Sequence, residues 1–384
     1  MKYLFLLFLP LFSCAQNNCS CLVSYPTIDC VVDSLRQGIN NYNAFPSPQK
    51  LSDGSIISIF KRSDSHPSSG PSIIVRSTNG GITWTQRQIT VNHTLLNVPV
   101  VIMKKGNSKI SIAYQHSYDS VHFAYVDELS IINNFSSFDF TDGTKLSYLA
   151  NYSSSPYGQI QILPSGKLLQ PYYSIGTGPN INKCKVGLLE SSNDGVTWSL
   201  GSTIYTENTP NAFNGELVSE TFVLITEMGT SDSNTKLVAY GRNETHDFYS
   251  HGRSSDGGIT WTFDTINFFY KFGVQVAKSP LSLSLHNGVV YIIDGVRNVT
   301  GTFTLQYTTC TPSNCFNNNQ SGYSANVILP YVANATVNGA AIDWGYPMPF
   351  IDKNDQLWIH FYDTTPYATL ANKAVMVYQT KVHN

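Results

Sequence analysis

Six times along the chain a small or polar residue opens a strand-like apolar run: GSIISIFKR from Gly54, SKISIAYQH from Ser108, GKLLQPYYS from Gly166, TKLVAYGRN from Thr235, GVVYIIDGV from Gly288 and DQLWIHFYD from Asp355. The starts lie 53 to 69 residues apart, room for about four strands per unit. Upstream of each run a second strand is marked, in most units by a proline: Pro46, Pro99, Pro156, Pro280 and Pro347. Phe45, Tyr157, Ser279 and Tyr346 each stand nine residues before the run that follows, so these units share one register. A polar loop, Gly229 to Asn234, lengthens the fourth unit. Helical periodicity is confined to Val31, Leu35 and Ile39, which predict one short helix ahead of the first unit.

An eight-residue pattern occurs three times: Ser77 to Trp84 (STNGGITW), Ser191 to Trp198 (SSNDGVTW) and Ser254 to Trp261 (SSDGGITW). Each reads as a hairpin turn. Asn or Asp at the third position binds backbone N–H groups, Gly at the fifth accepts positive φ, and the Ser and Thr hydroxyls tie the ends. The closing Trp needs burial, which a position between neighbouring sheets provides.

The octapeptide resembles the Asp box, S-x-D-x-G-x-T-W, of the sialidase superfamily. Only Asp256 keeps the acid; Asn79 and Asn193 replace it, and an amide oxygen accepts the same backbone bonds. The resemblance implies an all-β chain, a six-bladed β-propeller of four-stranded antiparallel sheets, with these turns on the face away from the active site. The boxes identify a fold, not a reaction.

Length agrees: 384 residues suit a closed propeller. The expected organisation is a signal peptide over 1–15, an N-terminal extension over 16–43 and the propeller over 44–384. Lys2 and the apolar run Leu4 to Phe12 form the signal, so the product is secreted or held at the cell surface. Leu11 to Cys14 also resembles a lipobox, whose lipid on Cys14 would be its one tie to a membrane; cleavage after Ala15 is the alternative. Charged residues make up only 12%, with 23 basic and 25 acidic side chains and no basic run that would track phosphates. Nucleic acid is not an expected partner. In an exported chain the six cysteines Cys19, Cys21, Cys30, Cys184, Cys310 and Cys315 are expected to pair as disulfides, Cys310 with Cys315 most simply. No cysteine spacing favours a metal site, and no cofactor is expected.

The second strands end in Arg62, His116, Tyr173, Arg242, Arg297 and Asp363. Running the same way, they converge on one mouth, and three arginines there would clamp an anion; paired one by one within or between blades, they would be structural only. The sialidase resemblance makes the roles specific. Tyr346, in Gly345-Tyr346-Pro347, is similar to the nucleophile and Glu220 to its partner. Asp64 or His66 would be the acid, and Arg62, Arg242 and Arg297 would hold the anionic group. A phenol nucleophile avoids the repulsion that a carboxylate would meet on an anionic sugar. One position departs: Asn43-Ala44-Phe45-Pro46 has Ala44 where the family's first clamp arginine stands. The implied function is an exported sialidase-like glycoside hydrolase acting on an anionic glycan with an incomplete clamp. The alternative is a non-catalytic propeller that binds glycans or proteins, for which the chain's 23 tyrosines supply stacking surface.

Overall fold

The computed structural model describes residues 18–20, 30–31, 42–63, 69–105, 108–117, 120–147, 151–206, 208–209, 217–243, 249–264, 280–297, 303–329, 336–337, 340–341, 345–363 and 376–382. They form six antiparallel sheets of four or five strands, the blades of a β-propeller, and two separate two-stranded ladders, Thr90–Val91 with Thr94–Leu95 and Thr336–Val337 with Ala340–Ala341. All six runs read from the sequence are second strands: Ile56–Ser63, Lys109–Ser117, Leu168–Gly176, Lys236–Asn243, Val289–Arg297 and Leu357–Asp363. Each pairs with an inner strand before it and a third strand after it.

Two pieces of the N-terminal region join the ring. Asn18–Ser20 pairs with Thr83–Gln88 on the outside of blade 1, and Cys30–Val31 with Met376–Lys381 as the outermost strand of blade 6. The two ends of the chain thus complete one blade, which covers an edge that would otherwise be open. Of the helix expected around Val31, Leu35 and Ile39, Val31 lies instead in the strand Cys30–Val31, and Leu35 and Ile39 lie outside the described residues.

The core lies in layers between blades. Ile57, Ile59 and Ile74 of blade 1 meet Ile102, Ile110 and Ile112 of blade 2, all almost wholly buried. On its other side blade 1 packs Ala44, Phe60 and Val75 against Phe350 and Tyr362 of blade 6. Strands with apolar residues on both faces are what such a position requires.

The three octapeptides form the turns between third and fourth strands of blades 1, 3 and 4. Ser77, Ser191 and Ser254 accept the N–H of the fifth-position glycine at 2.8, 3.0 and 2.9 Å. Those glycines, Gly81, Gly195 and Gly258, have φ of 90°, 76° and 87°. Asn79, Asn193 and Asp256 each accept the N–H of the Thr four residues on at 2.9 Å. The Asp version differs in two respects: Asp256 also accepts the Ile259 N–H at 3.1 Å, and its bond to the Thr hydroxyl runs the other way. Both Asn amides donate to the Thr hydroxyl at 2.8 Å, whereas Asp256 accepts from the Thr260 hydroxyl at 2.6 Å. A hydroxyl serves as donor or acceptor, so either residue closes the turn.

Each tryptophan reaches back to the preceding blade. Trp84 meets His360 of blade 6 edge-on, Trp198 stacks on Phe123 of blade 2 at 4.5 Å, and the Trp261 indole donates to Ser202 of blade 3 at 3.3 Å. In blades 2 and 5 the same connection carries short helices, Glu128–Asn133 and Pro312–Phe316, which bury Ile131 and Cys315 instead. Replacing Asp256 by Ala removes the acceptor for two backbone N–H groups and two hydroxyls, and should cost about 1–2 kcal/mol. Asp256→Asn should cost less than about 0.5 kcal/mol, since Asn already fills two of the three turns; urea unfolding distinguishes the two variants.

Cys184, Cys310 and Cys315 are buried free thiols, so the expected disulfides are not present among the described residues. Cys310 stands just before the short helix Pro312–Phe316 and Cys315 within it; the hydrogen bond between their thiols pushes the Cys310 thiol up, and burial adds to this. The side chains of Cys19, Cys21 and Cys30 lie outside the described residues, as do the signal segment and Cys14. Among the described residues no helix is long and apolar enough to cross a membrane.

Candidate active site

Three inner strands carry the same irregularity near their first residues. In blade 1 the register jumps between Ala44 and Ser47, in blade 4 between Val218 and Thr221, and in blade 6 between Gly345 and Met348. Two residues on the inner strand thus oppose one on its neighbour: Phe45 and Pro46, Ser219 and Glu220, Tyr346 and Pro347. A bulge of this kind turns side chains out of the regular alternation, here towards the channel mouth. Phe45 and Tyr346 adopt φ of 61° and 49°, uncommon for aromatic residues and held by the packing around them.

These bulges bring together groups far apart in sequence. The Tyr346 phenol donates to Oε1 of Glu220 at 2.7 Å, across the channel from blade 6 to blade 4. Arg242, on the neighbouring strand of blade 4, donates from Nη1 to Oε1 and Oε2 of the same carboxylate, both at 3.3 Å. The Ser219 hydroxyl donates to Oε2 at 2.5 Å. Glu220 is only 5% exposed.

Aromatic rings enclose the pair. Phe45 meets the Tyr346 ring edge-on at 4.8 Å, Tyr157 does so at 6.0 Å, and Tyr362 stacks behind it at 5.8 Å. Tyr157 donates its own hydroxyl to the Leu281 carbonyl at 2.9 Å, which ties blade 3 to the first residues of blade 5.

Charge and burial set opposite tendencies on the two central groups. Burial by itself raises the Glu220 carboxyl, but Arg242, Ser219 and Tyr346 together hold it below the usual carboxylate range. Burial, then the adjoining Glu220 charge and Tyr173, push the Tyr346 phenol well above its ordinary value; Arg242 opposes them. At neutral pH the pair is therefore a carboxylate accepting from a neutral phenol. A group with that partner can attack as its proton leaves, without a free phenolate accumulating.

Of the residues proposed from sequence, Tyr346, Glu220 and Arg242 come together. Arg62 is bound within blade 1: its Nε donates to Asn43 at 2.9 Å and its Nη2 to Gln86 at 3.1 Å. Arg297 ends the strand Val289–Arg297, and its side chain lies outside what is described, as do those of His116 and Asp363. Asp64 and His66 lie outside the described residues. Ala44 is fully buried among apolar neighbours.

Ser219 escaped sequence reasoning although it is the blade-4 counterpart of Phe45 and Tyr346. The nine-residue offset that marks those two fails in blade 4, where the longer hairpin moves the following strand on. A cavity of about 520 Å³ opens at the opposite ends of the inner strands, lined by residues such as Lys50, Leu224, Leu283 and Phe350; it holds none of the candidate residues.

No protein-family profile matches the sequence, and no curated protein matches it. Solved structures do. A protein of unknown function from Dyadobacter fermentans superposes with a TM-score of 0.65 at 14% identity, over 96% of this chain and 98% of the other. An α-L-arabinofuranosidase, Arb93A of Fusarium graminearum, gives 0.58 at 13%, covering 95% and 97%. The intramolecular trans-sialidase of Ruminococcus gnavus gives 0.57 at 10%, covering 91% and 97%. The fold is a sialidase-like six-bladed β-propeller. At these identities the likeness concerns the fold, and in a propeller of this kind the octapeptide turns lie opposite the mouth. Four antiparallel strands alternate in direction, so the connection after the third leaves from the end where the first one finishes.

Proposed function

We propose that this protein is an exported glycoside hydrolase that removes an anionic sugar from a glycan, with Tyr346 as nucleophile and Glu220 as the base that takes its proton. The observation that carries the reading is the 2.7 Å hydrogen bond from the Tyr346 phenol to a buried carboxylate kept ionised beside Arg242. In the reaction, the phenol oxygen bonds to the anomeric carbon as the glycosidic bond breaks. The phenol proton passes to Glu220, and the leaving oxygen takes a proton from an acid, Asp64 or His66. Water then reverses the first step, so configuration is retained. Arg242 and Arg297 would hold the sugar's carboxylate, with Arg62 a third cation at the edge of the site. Export rests on the N-terminal signal pattern.

A propeller that binds glycans without turning them over is the second reading. Blade 1 favours it, because Ala44 offers no charge and Arg62 already serves Asn43 and Gln86. One missing charge-assisted contact weakens the hold on a carboxylate by about 1.5–3 kcal/mol.

The discriminating experiment offers the protein sialyl-lactose, a fluorogenic α-sialoside and an α-L-arabinofuranoside, with product stereochemistry followed by NMR. Hydrolysis of a sialoside with retention is the expected result. Cleavage of the arabinofuranoside alone would remove the anionic group from the proposal. Measurable glycan binding with no cleavage of any ligand would establish the second reading.

A further inference from the structure

The bulge in blade 4 places one more group on the reacting pair. Ser219 is 2% exposed, and its hydroxyl donates to Oε2 of Glu220 at 2.5 Å. The backbone that carries it is fixed in turn, since the Thr221 hydroxyl donates to the Ser219 carbonyl at 2.8 Å. Oε1, the other carboxylate oxygen, receives the Tyr346 phenol. Arg242 stands 3.3 Å from both oxygens, so it supports the negative charge without choosing between them. The choice falls to the two hydroxyls.

We propose that Ser219 is a positioning residue of this site: by occupying Oε2 it keeps Oε1 turned to the Tyr346 phenol as the oxygen that receives its proton. The inference rests on Tyr346 as the nucleophile. As the phenol oxygen bonds to the anomeric carbon, its proton moves to Oε1 and Glu220 becomes neutral, while Oε2 keeps the Ser219 hydroxyl throughout. No reorientation of the carboxyl is then needed during the step, which is where a fixed geometry lowers a barrier. Among the described residues, the titratable and charged groups facing Glu220 are Arg242 from its own blade, Tyr346 from blade 6 and Tyr157 from blade 3, with Tyr173 of blade 3 beside both phenols. None of them donates a hydrogen bond to Oε2 alone.

The test compares wild type, Ser219→Ala and Ser219→Thr, each labelled with 13C at the glutamate carboxyl, with Glu220→Gln to assign the resonance. In Ser219→Ala the Glu220 titration should move to higher pH, and the acid limb of the kcat profile should move with it. Plateau kcat should fall about tenfold with KM within about twofold, the loss of one hydrogen bond to a charged group. Ser219→Thr should restore both midpoints. An unmoved Glu220 midpoint overturns the proposal, whatever happens to kcat, since a packing role alone would leave the titration in place. A moved midpoint in a protein that hydrolyses nothing leaves Ser219 as the residue that orients Glu220 and rejects the hydrolase reading instead.

Discussion

Tyr346→Phe should lower kcat by about a thousandfold or more while changing ligand affinity little. The substitution removes one oxygen and keeps the ring, so the edge-on contacts with Phe45 and Tyr157 and the stack on Tyr362 persist. The backbone at φ 49° carries a Phe as it carries a Tyr, as Phe45 does in the equivalent bulge of blade 1. What goes is the atom that would bond to the sugar and the proton that Glu220 would take. Glu220 also loses a donor, so its carboxyl should rise towards the ordinary range, with Arg242 and Ser219 still holding it. Rates on the best substrate from the glycoside panel, and binding of its unreactive analogue by calorimetry, measure the two halves. Turnover retained in Tyr346→Phe would exclude this tyrosine as nucleophile.

Acid should destabilise the fold through His360 by about 3 kcal/mol between neutral pH and pH 4. The imidazole is fully buried between blades 6 and 1, edge-on to Trp84 and Phe350. Its Nε2 donates to the Gln379 carboxamide oxygen and its Nδ1 accepts from the Ser58 hydroxyl, both at 3.0 Å, which fixes the neutral ring. Burial lowers its pKa from 6.5 to about 4, with the Gln379 bond pulling slightly the other way. Above pH 6.5 neither the folded nor the unfolded chain protonates this ring, and the full stability is present. As the pH falls from 6.5 towards 4 the unfolded chain binds a proton that the folded one refuses, and stability is lost; below 4 both bind it and the loss is complete. Urea unfolding from pH 7 to pH 4 should show the decline, and His360→Gln should flatten that part of it. A wild-type profile that is level over this range would show that the ring is protonated without cost.

The repeat was legible in the sequence because its causes are local. A continuous apolar run makes the second strand of GVVYIIDGV or GSIISIFKR whatever its neighbours do. The SSDGGITW turn is closed by bonds within eight residues, from Ser254 to Gly258 and from Asp256 to Thr260. Tyr346 and Glu220 were legible through their place at the heads of inner strands, together with the family resemblance. Ser219 was hidden by a change of hairpin length. The tie of Arg62 to Asn43 and Gln86 was hidden as well, because the direction of a long side chain at a strand end is set by residues on two other strands.

The sequence by itself therefore determined the number of blades, their order and the turns that join the outer strands of blades 1, 3 and 4, since each depends on hydrogen bonds and apolar patterning within a few tens of residues. Only the tertiary structure decided which ends meet. Glu220 and Tyr346, 126 positions apart in the chain, are closed to 2.7 Å by a bulge in each inner strand and by packing around the ring. A bulge is a register shift between two strands, and the packing is a property of several blades at once. Neither is written in any one segment of the chain.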